Sequence, residues 1–213
     1  MKPMFQQASK CLVPVLLLLG SACVAEPLDT TDPTQETEEA VTTCVTIQRG
    51  TGGATDDVTD ALLADITERK AYGASESLTA GLVGTGARFA LLRFGLTAIP
   101  ANATIVSATA TLHLLLGTPD GVAVRAHQST ASWVESWVTC TTYQYAYLAA
   151  VVATFPSATT TTADLTSLVQ GWVSGAIPND GIFLERPFTG STVFASSEIP
   201  TQALRPSLQV CYQ

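Results

Sequence analysis

The sequence predicts an all-β fold, a β-sandwich with one short helix, on three observations. Short runs of alternating apolar and polar residues recur from Cys44 onward at spacings near ten residues, each closed by turn residues. Threonine, whose branched Cβ favours strands over helix interiors, is abundant throughout. One stretch alone carries helical spacing. The composition permits a packed core: of 213 residues, 46% are hydrophobic and 13% charged, and mean hydropathy is +0.29. That is enough apolar surface to offset the ordering entropy of a single domain. The formal net charge of −8 excludes a basic nucleic-acid binder.

The elements follow in chain order. Val45 to Arg49 alternates and stops at Gly50-Thr51-Gly52-Gly53, and Phe89 to Phe94 stops near Gly95. Ile105 to Leu114 is the longest period-two run, and Val122 to Ala126 comes after a Pro119-Asp120-Gly121 turn. The helix is assigned to Asp164–Val173, where Leu165, Leu168, Val169 and Trp172 recur at helical spacing and Asp164 stands as the cap. Gly181 to Glu185, Thr192 to Ala195 and Ser207 to Tyr212 supply the last strands. Many short strands with one helical turn predict a sandwich.

Residues 1–25 predict an export signal. Lys2 and Lys10 precede the apolar run Leu12 to Leu19, which is too short to span a bilayer but fits the core of a secretory leader. Gly20-Ser21-Ala22-Cys23 resembles a bacterial lipobox, which would make Cys23 the lipidated first residue and its lipid the only membrane attachment. The competing reading is an ordinary cut after Ala25. Either one expects an exported protein, an outer-membrane or cell-surface lipoprotein or otherwise an extracellular one, in an oxidising compartment. Residues 26–43 read as an acidic tether rich in threonine and proline, with six acids and no base. As a flexible coil it would span on the order of 25 Å. Residues 44–213, the expected domain, hold twelve acids against eight bases.

Cys44, Cys140 and Cys211 remain in that domain. A Cys44–Cys211 bridge is expected to clamp the first strand to the last and leave Cys140 as a buried thiol. Pairings of Cys140 with either partner remain open at this point.

Four stretches in order resemble the DNRLRE domain, also classed as carbohydrate-binding module family 96. They are Asp60-Ala61 with Tyr72-Gly73; Arg88 to Leu96 with Ile99-Pro100; Trp133-Val134-Glu135-Ser136-Trp137-Val138-Thr139; and a last set running from Asp164-Leu165-Thr166 through Trp172 and Pro178-Asn179-Asp180-Gly181 to Ser196-Ser197-Glu198 and Arg205-Pro206. Gly95 stands where the family usually has aspartate, and Cys140 where tryptophan is common. The resemblance implies a jelly-roll-like β-sandwich that binds extracellular polysaccharide and is not itself an enzyme.

Glycan recognition needs aromatic faces for the sugar's C–H surface and polar groups beside them. Tyr143, Tyr145 and Tyr147 alternate, so in a strand all three would project from one face and form a platform. Tyr72 with Arg88 is the second candidate. Trp133, Trp137 and Trp172 are expected as core anchors. His127 with Ser129, Ser132 and Glu135 sketches a catalytic triad, but no nucleophile motif supports it. The resemblance implies that Glu135 and Glu198 are structural hydrogen-bond acceptors rather than a glycosidase pair. Asp56, Asp57 and Asp60 match no calcium-loop spacing and are expected in a solvated turn. No cofactor and no metal is expected. A neutral glycan is favoured unless Arg88, Arg93 and Arg125 form a basic patch. The alternative function is a structural or adhesive envelope protein, with the sandwich as spacer or protein-docking module.

Overall fold

A computed structural model describes residues 41–64, 69–117, 119–143, 145–187 and 190–213. The expected leader, most of the tether and Cys23 lie outside the described residues. The described chain is all-β and sandwich-like, with eleven strands and two short helices. The strands are β1 (Thr43–Gln48), β2 (Val58–Leu63), β3 (Ser77–Val83), β4 (Gly86–Phe94), β5 (Ile105–Leu116) and β6 (Val124–Ser129), then β7 (Tyr147–Phe155), β8 (Thr160–Asp164), β9 (Ile182–Glu185), β10 (Ser191–Ala195) and β11 (Ser207–Tyr212). The helices are α1 (Cys140–Tyr143) and α2 (Thr166–Val173).

The paired strands run in the order β1-β11-β5-β10-β3-β4-β9-β6-β7, with β2 added on β4 and β8 on β5. Every pairing is antiparallel. Two long strands change partner midway and so curl the sheet around a core. β4 pairs β3 through Gly86–Arg88 and β2 through Phe89–Phe94, while β5 passes from β11 to β10 near Leu114. Ala108, Ala110 and Leu112 of β5 and Leu208 and Val210 of β11 belong to one buried cluster with Ala90 and Leu92 of β4, Leu184 of β9 and Ala126 of β6.

The strands expected from alternation are present with small shifts in their ends. The strand expected from Val122 begins at Val124, and β5 runs two residues beyond Leu114. The helix is also present, two residues shorter than expected. Leu165, Leu168, Val169 and Trp172 all face the core. Asp164 is not the cap expected: Leu165 holds the N-cap position with no side-chain cap bond, and Asp164 stands one place earlier, its Oδ1 accepting from the Thr166 N–H at 2.8 Å and from the Thr166 hydroxyl at 2.5 Å. Those two bonds hold the Asp164 carboxyl below its usual 3.8. The helix in turn satisfies donors of β5: Thr166 Oγ1 accepts from the Ala108 N–H and Gln170 Oε1 from the Ile105 N–H. α1 was not expected.

Cys44 and Cys211 are bonded to each other and stand opposite in the β1–β11 register. Cys140 is buried and outside the bridge.

The bridge closes a loop between residues 167 apart, so Cys44→Ser with Cys211→Ser should lose up to roughly 5 kcal/mol in denaturant titration on the chain-entropy model. Asp164→Ala should cost about 0.5–1 kcal/mol at pH 7 by loss of its two bonds to Thr166. Because the folded carboxyl titrates below the unfolded one, that contribution is present above the unfolded pKa. It should fade in the same titration as pH falls through the depressed value.

Candidate functional site

The layer containing β2, β4 and β9 is apolar on both sides. One side lines the main core, and the other carries Ala61 and Leu63 of β2, Leu91 of β4 and Phe183 of β9, all fully buried. Burial requires a cover, and the segment from residue 131 to 147 supplies it with Trp133, Val138, Cys140 and Tyr143. Trp133 is the anchor, only 5% exposed. Its Nε1 donates to the Asp180 carbonyl at 2.9 Å, and the Arg93 guanidinium lies over the indole, 4.9 Å from its centroid. The turn that presents Asp180 is itself pinned, because Asn179 Nδ2 donates to the Phe94 carbonyl at 2.8 Å. Gly181 follows at φ +79°, where a Cβ would run into the Leu92 carbonyl.

Trp137 departs from its expected place in the core and is 80% exposed. The local chain explains this. Trp137 and Val138 N–H groups both donate to the Val134 carbonyl at 2.9 Å, which makes a tight turn in which Val138 points inward and Trp137 outward. Trp133 and Trp172 do pack as anchors. Trp133, Val134, Trp137, Val138, Thr142 and Tyr143 line an open cleft of about 300 Å³. One wall is therefore an exposed indole, with exposed Ser132 beside it.

The three tyrosines do not share a strand face. Tyr143 ends α1 and points inward, its hydroxyl donating to the Ala131 carbonyl, and burial raises its pKa above 10.0. Tyr145 is 83% exposed. Tyr147 opens β7 and stacks on Phe183, with ring centroids 4.1 Å apart and planes 7° from parallel. Burial and then the nearby Glu185 charge raise the Tyr147 hydroxyl as well. The alternation fails because the chain reaches β7 from a helical turn whose Thr139 and Thr142 bond to each other, and no strand spans all three residues.

Tyr72 sits in the turn after β2, with Lys70 Nζ 4.9 Å from its ring centroid. Arg88 lies on β4 opposite Gly81 of β3, with its Nη1 buried. No basic patch joins the three arginines: Arg93 is spent on Trp133, and Arg125 faces Glu185 at 3.7 Å. The sketched triad is not assembled either. His127 Nδ1 donates to the Leu148 carbonyl at 3.0 Å and Nε2 lies 3.2 Å from Glu185, whereas Glu135 belongs to another cluster.

That cluster gathers Asp60, Glu135 and Glu198, each with a carboxylate oxygen within 4.8 Å of the others. Asp60 is fully buried, and its Oδ2 accepts from the Ser197 N–H at 2.6 Å. Glu135 Oε1 accepts from the Asp60 N–H at 3.3 Å. Arg49 Nη1 bridges both glutamates and donates to Ser197 Oγ at 3.0 Å. Burial, followed by the charges of Glu198 and Glu135, pushes the Asp60 carboxyl well above 3.8 despite the Ser197 bonds. Burial and Glu198 likewise raise Glu135 above 4.5. Gly73 allows the Tyr72 turn to pack here, because a Cβ would overlap the Glu135 carbonyl. Asp56 and Asp57 stand apart from Asp60: Asp56 caps the Gly50 N–H, and Asp57 fills the space that a side chain at Gly95 would need.

Reading the sequence missed Trp137 and the convergence on Asp60. A signal for the first lies in the repeated pairs Trp133-Val134 and Trp137-Val138, which cannot both bury tryptophan when the intervening chain makes a tight turn. No protein-family model matches the chain, and no curated protein matches it with significance.

The two neighbouring tryptophans should separate in urea titration. Trp133→Ala should cost about 3–5 kcal/mol as a buried aromatic truncation, whereas Trp137→Ala should stay within about 0.5 kcal/mol of the parent.

Proposed function

We propose that the chain is an exported, lipid-anchored, non-catalytic domain that binds a neutral extracellular polysaccharide. The observation that carries this reading is the exposed Trp137 indole on the cleft of the 131–147 segment. An indole face held in water beside Ser132 suits the C–H surface of a sugar and its polar rim. Exposed Tyr145 offers a second aromatic surface on the same covering segment. The resemblance to the DNRLRE domain supports the same ligand class, and the lipobox-like Gly20-Ser21-Ala22-Cys23 supports anchoring at the cell surface. The engagement of Arg93 and Arg125 with their own neighbours favours a neutral glycan over an anionic one. The ion pairs of Arg49 with both Glu135 and Glu198 support a structural role for that pair over a glycosidase acid pair.

The envelope-docking alternative has one observation of its own. Among the described residues β7 pairs with β6 alone, and it exposes Leu148, Val151 and Val152. An apolar strand at a sheet end can accept another chain.

Glycan arrays followed by titration with a neutral polysaccharide hit distinguish the two. Trp137→Ala should weaken binding by at least about tenfold, equivalent to about 1.4 kcal/mol, with Tyr145→Ala weakening it less. Unchanged affinity in both variants would remove the cleft as the site, and an array without hits would favour docking through β7.

A further inference from the structure

We propose that Asp60, Glu135 and Glu198 together hold one calcium ion. Their oxygens lie no more than 4.8 Å apart. Two ligands on opposite sides of a single calcium span about that distance, given Ca–O bonds of about 2.3–2.6 Å. Acids alone crowd together on many surfaces, and Asp60 separates this cluster from those. It is a fully buried residue whose Oδ2 is taken by the Ser197 N–H, while its Oδ1 is buried with no hydrogen-bond partner. Native structures rarely leave a buried carboxylate oxygen without a donor or a cation.

Charge points the same way. Three carboxylates face the single guanidinium of Arg49, whose side chain is 38% exposed, so two negative charges remain for a divalent ion to neutralise. The donor set contains oxygen only, which suits a hard cation rather than zinc or copper. The ligands come from three separated stretches of chain, an arrangement that calcium's irregular coordination tolerates better than magnesium's strict octahedron. Arg49, Ala71, Gly73, Ser136, Glu135 and Glu198 border an open cleft of about 350 Å³ through which water can complete the shell. The bound ion would tie β2, the Trp133–Trp137 segment and the loop at Ser197 into one unit.

The test is equilibrium dialysis of EDTA-stripped full-length protein against radiolabelled calcium, with a parallel thermal melt. The expected result is one calcium per chain, half-saturated at or below about 1 mM, and a melting midpoint that climbs with calcium as ligand linkage requires. Glu198→Gln, at the partly exposed rim, should fold and bind at least about tenfold more weakly; Asp60→Asn should abolish both binding and the calcium-dependent rise. Dialysis of the parent that finds no bound calcium at about 10 mM overturns the proposal, whatever becomes of the variants. So does undiminished binding in Glu198→Gln, and magnesium bound as tightly as calcium overturns the choice of ion.

Discussion

The burial of Trp133 governs everything that lies outside the main core. A tryptophan removes on the order of 200 Å² from water, an upper bound of roughly 5 kcal/mol at 25 cal/mol per Å². It spends that stabilisation pinning a long connection onto the outer side of β2, β4 and β9. Its indole N–H is satisfied by Asp180 and its face by Arg93, so the anchor leaves no polar cost behind. With position 133 fixed inward, the tight turn at Val134 sends Trp137 to solvent two places after Glu135 reaches Asp60. The aromatic cleft and the acidic cluster are therefore two products of one docking event.

Conventional loops on a sandwich are displayed at its ends and stay mobile. Here a connection is laid flat over strands and held by a second apolar cluster. Trp133, Val138, Cys140 and Tyr143 fasten that connection to the strands at four points. That fastening also explains why α1 exists: the four residues Cys140–Tyr143 close the cover by turning Cys140 and Tyr143 onto the cluster.

The fold was legible where one strand face is buried and the other is wet. β5 and β11 alternate for that reason, and α2 with its N-cap Leu165 places Leu165, Leu168, Val169 and Trp172 in the core at helical spacing. Other strands hid for physical reasons. β3 buries four residues in a row, Leu78 to Gly81, so it has no period of two. β7 leaves its apolar run Leu148 to Val152 largely exposed, and β8 buries Thr161, a residue that reads as polar. The site was less legible than the fold. The tyrosine alternation imitates a strand but straddles a helical turn, and Asp60, Glu135 and Glu198 are far apart in sequence. Only the curl of the sheet and the Trp133 anchor bring them together.

The disulfide has a mechanical meaning as well as a thermodynamic one. The chain enters the sandwich on β1 and leaves on β11, and Gln213 Nε2 donates to Thr42 Oγ1 at 3.0 Å where the two ends meet. Tension on the incoming chain would otherwise peel β1 away one hydrogen bond at a time, since β1 ends the sheet order. Cys44 is the second residue of that strand, so almost immediately the load crosses a covalent bond to β11, which is held on its far side by β5. A domain pulled by its leading end in flowing liquid would transmit the strain to its best-packed strands and keep its outermost strand in register.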